Sequence, residues 1–137
     1  MPTKQDFVDA ARSWVGTRWV HQGRNRMGID CVGLIIMAAS DIGIQVPDMP
    51  GYRRSPDGPK FVEHIQASSV PASAPVPGTF GIFRDGSQPC HVGIFAEMHG
   101  GVSIIHAYAG TGQVMEEMYD HDWPKKLVSI QILESLK

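Results

Sequence analysis

Residues 91–108 read HVGIFAEMHGGVSIIHAY, and how this stretch pairs decides the fold. Side chains alternate across an extended strand, so His91, Gly93 and Phe95 share one face of its first half, and Val102, Ile104 and His106 share one face of its second. The EMHGG between the halves predicts a hairpin turn. A two-residue loop at His99-Gly100, or a four-residue loop over residues 98–101, sets His91 opposite Tyr108 and His106 one diagonal step away on the same face. Diagonal neighbours stand roughly 7–8 Å apart at Cα and closer at their side chains, within reach of two imidazoles. An odd-length loop or a bulge would separate them. The same alternation sends Cys90 to the opposite face.

Outward from the hairpin the pattern holds on both sides. TFGIF before it, and GQVMEEMY and LVSIQIL after it, are short, β-prone and bounded by turn residues. The first half of the chain has the helical period instead. Thr3 is placed to cap a first helix, with Asp6 near the capping-box position; Phe7, Ala10, Ala11, Trp14 and Val15 form its apolar face and Gly16 ends it. A second helix is predicted from Cys31 to about Ile42, capped by Asp30 and stopped by Gly43; it is apolar nearly all round, which predicts a buried central helix. KFVEHIQA suggests a short third helix, and SSVPASAPVPG reads as a connection. Helices first and strands afterwards predict an α+β fold with an antiparallel sheet of about five strands.

With 137 residues, the length predicts one domain spanning 1–137, large enough to fold without staples. The net charge of −2 gives no general argument for nucleic acid or an anionic membrane as partner. No apolar stretch approaches membrane-spanning length. MPTKQDFVDAARSW lacks the apolar core of a secretory signal, which predicts synthesis in the cytoplasm without a signal peptide. Two cysteines are too few for a disulfide framework, and a cytosolic origin argues against a Cys31–Cys90 bridge.

The stretch GIDCVGLIIMAAS, Gly28 to Ser40, places one of those cysteines where the buried helix begins. The unpaired N–H groups and positive dipole end of a first helical turn favour a thiolate, as does a nearby imidazolium. Such settings lower a cysteine pKa from about 8.5 into the range of roughly 3.5–7.5. Cys31, His91 and His106 therefore form a candidate catalytic trio: a nucleophile, a general base that protonates the leaving amine, and a residue that fixes the base's tautomer. The backbone N–H of Cys31 points where an oxyanion would form. The plainer alternatives are a structural buried thiol, satisfied histidines and an Asp30 that only caps. A metal site built from Cys31, His91, His106 and either Cys90 or His121 is a third reading, but C-x₂-C-type pairs and HExxH are both lacking, and the one adjacent pair, Cys90-His91, should diverge across a strand. The trio as read needs no metal and no cofactor.

Trp19, His21, Gln22 and Arg24 precede the cysteine and are read as the wall of a substrate cleft, against the alternative of a polar loop over a packed tryptophan. Tyr52, Arg53 and Arg54 lie in a Pro/Gly-rich loop; they either meet substrate carboxylates or are solvated.

WVGTRWVHQGRNRMGIDCVGLI, VPGTFGIF, HVGIF and IIHAY, in that order, resemble the NlpC/P60 family of cell-wall cysteine peptidases over roughly Ala10 to Leu133. The HQGR and DCVGL variants look most like stand-alone members associated with phage tails and gene transfer agents. The resemblance implies a papain-like fold with the cysteine helix packed on the sheet. It implies hydrolysis of amide bonds in peptidoglycan stem peptides, commonly between D-γ-glutamyl and diaminopimelate. Cys31 matches the nucleophile, His91 the base and His106 the residue that orients it; Trp19, His21, Gln22 and Asp30 border the substrate. The chain departs from the family pattern at Trp19, where many members have tyrosine, at Val32 for a common serine, and at Thr79 in the turn before the first strand. A phage-tail setting adds tail-tip proteins as partners, incorporation in the virion and action at the periplasm or cell wall. A structural tail subunit with an inactive site is the alternative.

Overall fold

The computed structural model describes residues 1–48, 52, 58–85 and 88–137; Arg53 and Arg54 lie outside the described residues. The first helix, α1 (Lys4–Arg12), starts at a capping box: Thr3 Oγ1 accepts from the Asp6 N–H at 3.0 Å and the Asp6 carboxylate accepts from the Thr3 N–H at 2.9 Å. Phe7, Val8, Ala11 and Trp14 are buried. Val15, expected on the same face, is exposed, because the helix ends at Arg12 and the turn that follows redirects the chain. A two-stranded ribbon, β1 (Arg24–Asn25) with β2 (Gly28–Ile29), leads into α2 (Cys31–Asp41). Every residue of α2 from Cys31 to Ala39 except Met37 is buried, as its all-round apolar sequence predicts. It packs between α1 and the sheet.

After α3 (Gly58–Gln66) come β3 (Ser69–Pro71), β4 (Phe80–Asp85), β5 (Gln88–Met98), β6 (Gly101–Tyr108), β7 (Gln113–Met118), the single turn α4 (Trp123–Lys126), β8 (Leu127–Leu133) and a 3₁₀ turn (Glu134–Leu136). The main sheet is antiparallel, in the order β3-β8-β4-β5-β6-β7. Among the described residues it has six strands, against the expected five or so. The addition is β3, from the SSVP segment read as a connection. It is a short edge strand ending at Pro71, where a missing N–H costs no ladder bond.

The hairpin takes the two-residue loop. Met98 pairs with Gly101, and His99 and Gly100 adopt φ of 56° and 79°, the left-handed pair that a primed turn requires. The sheet has two apolar faces. Phe80, Ile82, Val92, Ile94, Ile105 and Ala107 join the helices in the main core, while Phe83, Phe95 and Ile104 form a second cluster with Tyr119, Trp123 and Leu127.

Two irregularities shape the site. The β5–β6 ladder stops at Ile94–Ile105, whereas β5 continues on β4 to Gln88 and β6 continues on β7 to Tyr108. The sheet thus opens between the start of β5 and the end of β6. On β5 the register then steps from Phe83–His91 to Arg84–Pro89, so Cys90 is the extra residue of a bulge. Strict alternation fails there, and with it the argument that set Cys90 across the sheet from His91.

Candidate active site

His91 and His106 line the two sides of that opening. Nε2 of His91 is 2.8 Å from Nδ1 of His106, and Nε2 of His106 is 2.8 Å from a carboxylate oxygen of Glu117 on β7. The even-length hairpin delivers the imidazoles to one face, as the alternation predicts. Between them stands Gly93, where a Cβ would come within 2.5 Å of Ile104 and 3.2 Å of the His106 Cβ. Phe83, Tyr108 and Trp123 surround the pair, with the Trp123 ring 5.4 Å from His91 and 4.9 Å from His106. This box keeps His106 wholly out of solvent and leaves His91 nearly so. Burial therefore holds the His91 pKa well below the usual imidazole range, helped by His106 and Lys126 nearby. It lowers that of His106 as well, against the opposing pull of Glu117. Both rings are neutral at physiological pH.

Cys31 sits at the start of α2 with 7% of its surface exposed. The backbone N–H of Val92, in the part of β5 that has left β6, and that of Val32 favour its ionised form. They are outweighed: burial, and then the charge of Asp30, push the thiol up to about 12. The expected thiolate is thus corrected to a resting thiol. A helix start lowers a cysteine pKa where solvent or a cation shares the stabilisation; here the neighbouring charge is a carboxylate. The hydrogen bonds described for the cluster run between the imidazoles and on to Glu117, and none joins Cys31 to His91. Cys90 lies near enough to Cys31 for its charge to be felt, and the two are not joined in a disulfide.

The segment before α2 is held by Asp30, which does more than cap. Oδ1 accepts from the Gly33 N–H and from Arg24, each at 2.9 Å; Oδ2 accepts from the Gln22 N–H at 2.8 Å and from the Tyr52 hydroxyl. Arg24 also donates to the Tyr52 oxygen at 2.7 Å and to Asp48 at 3.0 Å. Gln22 adopts a left-handed φ of 58° to aim its N–H, and its side chain donates to the Tyr52 carbonyl at 2.7 Å. Tyr52 is therefore a buried partner of the acid beside the cysteine and not a solvated loop residue. Its ring and that of His21 meet in a T-shaped contact with centroids 5.4 Å apart, and the buried Nδ1 of His21 has no hydrogen-bond partner among the described residues. His21, Gln22 and Asp30 thus gather around Tyr52. Trp19 is part-buried against the main core, tied by its backbone to Ile29 and Gly112.

Glu117 and Trp123 escaped the sequence reading. The alternation of β7 against His106 carried a signal for Glu117: Ile104 pairs with Glu117 and His106 with Met115, which puts Glu117 diagonal to His106. Trp123 comes from a one-turn helix with no periodic signature. Among the described residues no group of three or more His, Cys, Asp or Glu side chains is arranged to hold a metal ion. His121, a ligand of the metal alternative, points to solvent with 89% of its side chain exposed.

The NlpC/P60 family model matches residues 16–132, and the chain belongs to the NlpC/P60 family. It is similar to the murein DD-endopeptidase MepS/murein LD-carboxypeptidase of Escherichia coli (strain K12), at 27% identity over 124 residues, which is 90% of this chain and 59% of that relative. The chain thus spans little more than half the length of that curated relative. Its fold matches the NlpC/P60 domain of the peptidoglycan hydrolase SagA, with a TM-score of 0.63 and 20% identity over 96% of this chain and 98% of that one. It also matches an NlpC/P60 family protein from Bacillus cereus, with a TM-score of 0.71 and 15% identity over 94% of this chain and 39% of that one. The α+β, papain-like arrangement read from the sequence is the arrangement found. No helix among the described residues is long and apolar enough to cross a membrane.

Proposed function

We propose that the protein is a cysteine peptidase that hydrolyses amide bonds in the stem peptides of peptidoglycan, with Cys31 as nucleophile, His91 as general base and acid, and His106 orienting His91. The observation that carries this reading is the paired imidazoles at 2.8 Å, placed where the sheet opens beside the start of the cysteine helix.

His106 occupies Nε2 of His91, so Nδ1 of His91 is the nitrogen that serves the thiol. In the reaction the Cys31 proton passes to His91 Nδ1 as Sγ bonds to the scissile carbonyl carbon. The oxyanion is received by N–H groups at the start of α2, including that of Cys31. The imidazolium gives its proton to the departing amine as the C–N bond breaks. His91 then takes a proton from water as the water oxygen bonds to the thioester carbonyl carbon; the C–S bond breaks, the acid leaves, and the proton on His91 returns to Sγ. Because Cys31 rests as a thiol and His91 as a neutral base, ionisation accompanies attack. Hydrogen bonds of this kind tighten when substrate is bound. Trp19, His21, Gln22 and Asp30, the last held by Tyr52, are the residues proposed to border the substrate.

The γ-D-glutamyl–diaminopimelate bond is the proposed target, and a phage tail tip the proposed setting; the first rests on the family resemblance as a whole, the second on its HQGR and DCVGL stretches. The test is digestion of purified muropeptides by the wild type and by Cys31→Ser, read by mass spectrometry. Amine-ended fragments from the wild type alone establish the chemistry and identify the bond. Equal cleavage by Cys31→Ser removes the nucleophile. Co-purification with assembled particles tests the tail setting, and absence from them removes it.

A further inference from the structure

We propose that Glu117 is a positioning residue that sets the direction of the whole proton chain, Glu117 to His106 to His91, and so leaves Nδ1 of His91 without a proton. The second half of this statement rests on the catalytic reading above.

A carboxylate oxygen only accepts, so the 2.8 Å contact between Glu117 and His106 puts the hydrogen on His106 Nε2. A neutral imidazole carries one proton. Nδ1 of His106 is then a bare acceptor, and the 2.8 Å contact with His91 must be donated by His91 Nε2–H. That uses the one proton of His91. Its Nδ1 keeps a lone pair, the state a general base needs. A hydrogen-bond donor at the Glu117 position would reverse every step and leave a proton on His91 Nδ1, where no second one can be taken.

Two features make the chain rigid. His106 has no exposed surface, so neither of its nitrogens can trade its partner for water. Burial also keeps both rings neutral, which is the condition under which a single proton per ring dictates direction. Glu117 itself is a third exposed and lines an open cavity of about 300 Å³ with Tyr108, Met115 and Trp123. It can therefore be replaced without opening the core.

The test reads the tautomers directly. Long-range ¹H–¹⁵N correlation spectra of the ¹⁵N-labelled full chain near neutral pH should show His91 and His106 in the Nε2–H form. In Glu117→Leu, His106 should lose its fixed tautomer, with His91 following. Glu117→Gln, which can still present a carbonyl oxygen, should keep it. Muropeptide turnover should fall about 10- to 100-fold in kcat for Glu117→Leu with KM little changed, and Glu117→Gln should recover most of it. A wild-type spectrum with the proton on His91 Nδ1 overturns the proposal, whether or not any variant folds. So does a folded Glu117→Leu that keeps both tautomers. If the wild type fails to cleave muropeptides while the tautomers behave as stated, the catalytic reading falls and the proton chain stands. If it cleaves and Glu117→Leu cleaves equally well, the reverse holds.

Discussion

Nε2 of His91 and Nδ1 of His106 meet at 2.8 Å, although the ladder joining their strands has already ended at Ile94–Ile105. The side chains bridge a gap that the backbone leaves open. Removing the bridge leaves His91 free to turn within its aromatic box. His106→Ala should lower kcat for muropeptide cleavage by about 10²–10³ with a smaller effect on KM, since orientation and not substrate contact is lost. His106→Asn should retain more activity because an amide oxygen can still accept from His91. Unchanged kcat in His106→Ala would detach this residue from the chemistry.

Burial and Asp30 raise the Cys31 thiol to about 12, so its reactivity at neutral pH should be low. Alkylation of Cys31 by iodoacetamide, followed by peptide mass spectrometry with Cys90→Ser as background, should speed up roughly tenfold per pH unit across the range from about 7 to 9. A preformed thiolate–imidazolium pair would instead react at a plateau rate well below neutrality. Such a plateau would show that the anion exists without substrate.

Gly33 lies in the first turn of α2, where helix propensity alone favours alanine by about 1 kcal/mol. The packing reverses the sign. A Cβ there would stand 2.5 Å from the Gly23 carbonyl oxygen and 2.9 Å from Arg24 Nη1. The first is backbone and cannot yield cheaply, and the second is the group that holds Asp30. Gly33→Ala should lower stability by about 1–3 kcal/mol in urea unfolding. An unchanged or raised midpoint would mean that the 23–24 segment moves aside freely.

Much of this site was legible because it depends on parity. Any even hairpin loop puts His91 and His106 on one face, and HG in the turn of EMHGG favours a two-residue loop. The caps at Thr3 and Asp30 were readable for a similar reason: each is a contact between residues three apart. What was missed depends on longer range or on broken regularity. The Cys90 bulge defeats alternation, and no local residue announces it. Tyr52 reaches Asp30 across 22 residues of sequence. The high thiol pKa depends on how deeply α2 is buried, which a dipole argument at a helix start does not include.

The Tyr52 hydroxyl donates to Asp30 and accepts from Arg24. Tyr52→Phe removes both bonds but keeps the ring against His21. Asp30 retains Arg24 and two backbone N–H groups, so the fold should survive with a loss of about 2 kcal/mol. Urea unfolding measures the loss. Tyr52→Phe should also weaken the restraint on Gln22, whose side chain holds the Tyr52 carbonyl. A stability equal to wild type would show that the hydroxyl bonds are matched by water once broken.

The buried histidines should weaken the fold on the acid side of neutrality. Their native pKa values lie below the ordinary 6.5 because burial disfavours the charged ring, with His106 and Lys126 adding to the effect on His91 and Glu117 opposing it on His106. The unfolded chain therefore binds more protons than the native one just below pH 6.5, and unfolding free energy rises with pH there. The contribution is complete above that value and is lost as pH falls toward the native values, by up to about 1.4 kcal/mol per pH unit for each ring. Glu116 has the usual carboxylate behaviour: its hydrogen bond from Arg12 lowers its pKa, so its share is lost only below the ordinary value of 4.5. Urea unfolding between about pH 8 and 5 should show stability falling on the acid side of 6.5, before carboxylates titrate. The slope should shrink in a His91→Gln/His106→Gln double variant. A flat profile across that window would mean that protonated imidazoles are accommodated in the box of Phe83, Tyr108 and Trp123.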